Sequence, residues 1–289
     1  MAVTDVTVTD ETVTDVNAAY LTDVAPVVHA ESSARGWWSQ TRALTGRQIR
    51  VNLRDRLTLA QSLLFPVASM IMFKVVLGDA IGRATGQNSA YGTVPLVILI
   101  SAMFGSLAGA IRLNSERTTG LIERLYVLPI NRSADLSSRV LTDLLRILVT
   151  TLFLLAGGYL IGFRFTQGIG PAIGLVLVAL AYGAAFAMFT LALAVNAPPG
   201  APIVPYLGLF CSVLMFFNSG FSPVDAYPSW LQPLVANQPM TPAINVMRSL
   251  AAGGPLASDL VKVVIWTVVI LGLSIVPALR GYRRAAAGS

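Results

Sequence analysis

An all-α membrane protein with six transmembrane helices is the fold this sequence predicts, from three observations. Six apolar stretches, each near the ~20 residues that a helix needs to cross a hydrocarbon core, fill the chain between Leu57 and Leu279. The 289 residues are 55% hydrophobic and 12% charged, with mean hydropathy +0.69, whereas a soluble domain carries about 25% charge. Hardly a carboxylate falls inside any stretch, so the side chains that move ions or protons across a bilayer are not expected there.

Residues 1–34 are predicted to be a disordered acidic tail. They repeat Thr, Val and Asp, with six acids before Arg35, and bury too little apolar surface to fold. The tail has neither the basic start nor the apolar run of a secretory signal. His29, the only His, has no partner with which to build a metal site.

Residues 35–57 are predicted to be an amphipathic helix in the membrane interface. Arg47, Arg50 and Arg54 share one face, and Trp37, Leu44 and Val51 another. Trp38, Ile49 and Leu53 form a second apolar strip that suits packing on protein. A plain basic flank that fixes topology is the alternative.

The transmembrane body, 58–280, holds spans expected near 58–78, 93–113, 144–163, 171–195, 202–221 and 260–280, with a basic tail at 281–289. Thirteen Arg residues lie on the side of the N-terminus and three on the other, so the positive-inside rule places both termini in the cytoplasm. Arg112 and Arg146 are read as caps of inner helix ends, and Lys74 and Lys262 as snorkelling near outer ones. The basic balance, +6 overall, sits beside membrane segments and points to anionic lipid, not nucleic acid. Cys211 is the single cysteine, which excludes disulfides and Cys-based metal sites.

Two polar segments are the functional candidates. Glu116 to Asp143 is the long cytoplasmic loop. Glu116, Gly120 and Glu123 fall on one side of a short helix that Pro129 ends, fit either to grip a partner or to serve as a solvated connector. The outer segment between the fifth and sixth stretches carries Pro223, Pro228, Pro233, Pro239, Pro242 and Pro255. It is too broken for one helix and too apolar for a free loop, so short re-entrant helices are expected, either as an exit gate or as a fixed lid. Met103 and Phe104, with Phe210, Met215, Phe216 and Phe217, line a cargo path or simply pack. Gly105 and Gly109 form a G-x-x-x-G compatible with a dimer seam.

ERTTGLIERLYVLPINR (116–132) and GFSPVDAYPSWLQPLVANQPMTPAINVMR (220–248) resemble the cytoplasmic and outer signatures of the type-2 ABC exporter permeases. The likeness runs from about Arg35 to the C-terminus, and within the family it leans to the daunorubicin-resistance (Drr-type) membrane subunits of actinobacteria. Thr118 and Thr119 depart from the pattern. The resemblance implies a subunit of a bacterial plasma-membrane exporter for amphipathic drugs or envelope lipids. Glu116, Arg117, Gly120, Glu123, Arg124 and Pro129 would couple it to a cytoplasmic ATPase, Pro228, Trp230, Pro239 and Pro242 would form the outer gate, and a second permease would complete the path. No G-x-x-x-x-G-K-[ST] occurs in the chain, so ATP and Mg would be held by the partner ATPase. An ion-coupled carrier for apolar compounds is the competing reading; its candidate polar groups here, Asn114 and Asn218, are neutral. A membrane-embedded enzyme would need a metal or acid cluster that the sequence does not show.

The topology predicts that single Cys probes in a Cys211→Ser background are labelled by an impermeant thiol reagent in intact cells at position 229 and spared at 131. The reverse pattern would invert the orientation.

Overall fold

The computed structural model describes residues 34–54, 56–119, 132–198 and 203–286; within these it is helical, joined by short turns. The interfacial candidate is helix α1, Ala34–Arg54. The long apolar helices are α2, Arg56–Thr85, α3, Ala90–Thr118, α4, Arg132–Leu160, α5, Ile169–Asn196, and α9, Ala257–Ala286. Between α5 and α9 lie α6, Ile203–Phe216, a 3-10 turn at Val224–Ala226, α7, Gln232–Asn237, and α8, Met240–Ala252.

Among the described residues, five helices are long and apolar enough to cross a bilayer. The fifth expected span, 202–221, is helical only through Phe216; its 14 residues reach ~21 Å, short of a ~30 Å hydrocarbon core. Asn218 ends it, with a side-chain amide that turns back to Leu214 and Met215 carbonyls and an oxygen that accepts from Gly220 N–H. The third span also departs from expectation. It begins at Arg132 and not near 144, because Asp135 pairs with Arg139 at i,i+4 and Asp143 with Arg146 at i,i+3, which keeps a polar stretch helical. A hydropathy reading takes that stretch for loop.

Helix α5 is the spine, with α3 and α9 packed along it and α8 laid in the angle between them. The Pro-rich segment forms the short helices α7 and α8, and α8 belongs to the core itself: Met240, Ala243, Ile244, Val246 and Met247 are inaccessible and join Leu99, Met103, Leu175, Tyr182 and Phe186 in one cluster. Gly253 ends α8 at φ 87°, a conformation that favours Gly. A smaller cluster of Ala110, Leu113, Leu136, Leu191, Val195 and Ala278 seals the Arg-rich end.

Helix α1 packs on α4 by a different face from the one expected. Thr41 and Thr45 are the residues it buries, Thr45 Oγ1 donating to Thr41 O (2.8 Å) and Gln48 Nε2 to Ser138 Oγ (3.2 Å). Trp38 and Leu53 of the second strip stay exposed, as does Val51 of the first, apolar side chains fitted to lipid. Of the tail expected at 1–34, residues 1–33 lie outside the described residues, as do the C-terminal residues 287–289, and Ala34 is the first residue of α1.

Close approach of backbones at the Pro-rich end requires Gly92, where an added Cβ would lie 2.7 Å from Gly220 O. Gly92→Ala is expected to destabilise by about 1–3 kcal/mol through this overpacking, read as an earlier thermal transition of the purified protein. Gly82→Ala, whose Cβ meets nothing nearer than Gln87 O at 3.5 Å, is the control.

Candidate functional site

Polar side chains meet at three levels of the bundle. Midway along α3 and α4, Arg146 Nε donates to Asp143 Oδ1 at 3.4 Å and Nη1 to Ser101 O at 3.4 Å. The guanidinium occupies the space over Gly105, where any Cβ would overlap it, and the Asp143 carboxylate lies 3.2 Å from the Cβ position of Gly109. The G-x-x-x-G expected at a dimer seam is therefore filled by the chain's own ion pair. Arg146, expected as a cap at an inner helix end, lies near the midpoint of α4, with Asp143 one turn before it. Sequence reading missed this pair because it started the third span one residue after Asp143. The signal was the i,i+3 spacing of opposite charges.

At the Arg-rich end, Glu116 and Arg117 were expected to face an ATPase, and the structure gives each a partner inside the bundle instead. Arg139 Nη2 meets Glu116 Oε2 at 2.6 Å while its Nε holds Asp135 at 3.0 Å, joining the ends of α3 and α4. Arg117 Nη1 donates to the Ala194 and Ala197 carbonyls (2.7 and 2.8 Å), satisfying the open C-terminus of α5 and complementing its dipole. Asn196 Nδ2 donates to Pro277 O at 2.9 Å and so ties α5 to α9. Arg112, expected to cap a helix end, bonds the Asn52 side chain of α1. Gly120, Glu123, Arg124 and Pro129 lie outside the described residues.

At the Pro-rich end, the irregular backbone after α6 is held by side chains. Tyr227 Oη donates to Asn218 O at 3.0 Å, Gln238 to Phe217 O, and Arg248 Nη2 to Ser219 O at 2.7 Å. Lys74, expected to snorkel, instead donates to Asn88 Oδ1 (2.8 Å) and Ser89 Oγ (3.0 Å). The gate candidates separate into two layers. Pro228 and Trp230 are exposed, Trp230 at 77%, whereas Pro239 is half-buried at the start of α8 and Pro242 is buried in its first turn.

The path candidates separate too. Met103 is inaccessible and accepts a contact from Tyr182 Oη at 3.9 Å, so it belongs to the core and not to a lining. Phe104, Phe210, Phe216 and Phe217 are exposed, and Met215 packs against the core. Phe210 lies tilted beside Phe189 at 6.2 Å between ring centroids, and Phe217 beside Tyr227 at 6.5 Å. Among the described residues no group of His, Cys, Asp and Glu could hold a metal ion.

Comparison with known proteins adds the following. The family described as ABC-2 type transporter matches residues 39–251. The chain is 37% identical over 256 residues to the probable doxorubicin resistance ABC transporter permease protein DrrC of Mycobacterium tuberculosis, covering 89% of this chain and 92% of that one. It is 28% identical to the daunorubicin resistance ABC transporter permease protein DrrB1 of Streptomyces coeruleorubidus over 66% and 67% of the two chains. With the doxorubicin resistance permease DrrB of Mycobacterium tuberculosis it shares 27% identity over 73% and 78%.

If the Glu116–Arg139 pair holds α3 to α4, alanine at both positions should destabilise less than the sum of the single changes. A double-mutant cycle read by thermal unfolding is expected to give a coupling of about 1–3 kcal/mol, the range for a hydrogen bond to a charged group. Additive losses would show that the two helix ends are held by other contacts.

Proposed function

The chain belongs to the ABC-2 type transporter family, and on that premise we propose that it is the membrane-spanning permease subunit of an ATP-driven exporter for hydrophobic or amphipathic compounds. Its cargo in this reading is anthracycline-type drugs, complex cell-envelope lipids, or both. The observation that carries the proposal is the 37% identity, over nearly the whole length of both chains, to a permease named for doxorubicin resistance.

The chain has no P-loop sequence, so the ATP and its Mg sit on a separate cytoplasmic ABC ATPase, and this subunit performs no catalysis of its own. Two permeases, identical or different, enclose the path in the bacterial plasma membrane, both termini in the cytoplasm. The segment 120–131 meets the ATPase through Gly120, Glu123, Arg124 and Pro129, while Glu116 and Arg117 tie its base to α4 and α5. A push on the segment thus arrives at three helices together and rocks one packed body against another. At the far end, Pro228 and Trp230 form the exposed rim of the exit, and Pro239 and Pro242 the hinge at the start of the buried α8.

A proton-coupled carrier is favoured by one observation, the Asp143–Arg146 pair halfway along its helices. The two readings separate in vesicles: efflux that persists when the proton gradient is collapsed and stops when ATP is withheld supports the ABC permease, and the opposite result supports the carrier.

The same assignment predicts the effect of reversing Glu123. Glu123→Arg replaces an attraction to a basic cleft on the ATPase with a repulsion, which costs several kcal/mol at an interface, while helix propensity is little changed. The permease should insert normally, lose its ATPase through purification and lose efflux, with Glu123→Gln milder. Unchanged co-purification would remove Glu123 from the contact.

A further inference from the structure

We propose, resting on the exporter reading, that Arg146 is a cargo-orienting cation in the translocation path. Its guanidinium, steadied by Asp143 over Gly105, takes a hydrogen-bond-accepting oxygen, a carbonyl or a phosphate, carried by an otherwise apolar cargo. The site lies near the midpoints of Ala90–Thr118 and Arg132–Leu160, two of the helices long and apolar enough to cross a bilayer. An ionised side chain at that depth is costly against hydrocarbon and marks a pathway or a polar interior.

The Arg146 side chain is nonetheless 21% exposed. The surface onto which it opens therefore faces something other than lipid tails. Its donors are also under-used. Both of its hydrogen bonds are 3.4 Å long, against about 2.7–2.9 Å for a well-made charge-assisted bond. The buried Nη2 has no partner among the described residues.

Beyond Asp143, no carboxylate among the described residues is given a bond to it. The other cations that act on Asp143 are Arg112 and Arg139; Arg112 bonds Asn52, and Arg139 bonds Asp135 and Glu116, so that Asp135 and Glu116 are both committed. The rigid five-donor fork of Arg suits an acceptor oxygen better than a point charge does. Phe104, next to Gly105 in the chain, and Leu145 and Val149, on the helix of Arg146, are exposed at 37%, 38% and 56%, apolar surface for the rest of an amphiphile.

The test uses the permease with its ATPase in lipid nanodiscs and reads ATP hydrolysis stimulated by two probes, doxorubicin and a long-chain phosphate-headed lipid. Arg146→Lys keeps the charge and removes the fork, and should raise the half-stimulating probe concentration about tenfold or more, as expected for a lost charge-assisted hydrogen bond. Arg164→Lys, whose guanidinium lies over the Tyr159 ring, should change nothing. An effect with the lipid alone or with doxorubicin alone identifies which compound supplies the acceptor. Gly105→Ala leaves every charge in place but displaces the guanidinium, and should raise the same concentration even if Arg146 variants accumulate poorly. Wild-type response to the probes in both Arg146→Lys and Gly105→Ala would overturn the inference and leave the pair as a staple between α3 and α4. If the wild-type complex binds its ATPase but answers neither probe, the cargo reading beneath the inference fails first.

Discussion

A backbone carbonyl stranded in hydrocarbon has no water to accept from, and satisfying such groups internally is the constraint on which the rest of this structure depends. Its severest point is the end of α6. The carbonyls of Phe217, Asn218 and Ser219 receive donors from Gln238, Tyr227 and Arg248, all supplied by the Pro-rich segment that follows. The chain can therefore turn back at Asn218, and α8 can enter the core instead of lying on the surface. With α8 in place, Ile244 and Met247 fill space between α3, α5 and α9, and Gly92 must be glycine for the second span to come close enough.

The same need shapes the opposite end by other means. The last carbonyls of α5 are capped by Arg117, and Asn196 of the same turn reaches α9. Arg139 joins α3 to α4, and Ser138 on the same turn receives Gln48 from α1. Each tie is a polar side chain spending its donors on a neighbouring helix. The result is a closed set of connections at the base of the segment assigned to the ATPase, while the Pro-rich end is held mainly through one re-entrant helix.

Charge pairing explains how the polar stretch before the third expected span became part of it. Asp135 with Arg139 and Asp143 with Arg146 neutralise one another within a turn, which makes a helix through the membrane less costly than four separate charges would be. Sequence periodicity placed Glu116 and Glu123 on one face and treated both as outward. The fold pairs Glu116 with Arg139. Met103 and Phe104 divide, since neighbours in a helix point about 100° apart: one is core and the other is exposed.

Composition and apolar run length by themselves determined that the chain is a multi-pass helical membrane protein, and two motifs determined its family, because twenty apolar residues admit few structures in a bilayer. Proline spacing likewise foretold short helices in the outer segment. Tertiary structure alone decided that α8 is core, that the Gly105 and Gly109 notch holds an ion pair, and that Lys74, Glu116 and Arg117 bond groups of their own chain. The reason is physical: hydropathy measures what a segment costs to place in lipid, whereas the partner of a polar side chain lies on another helix, at a distance along the chain that no local pattern records.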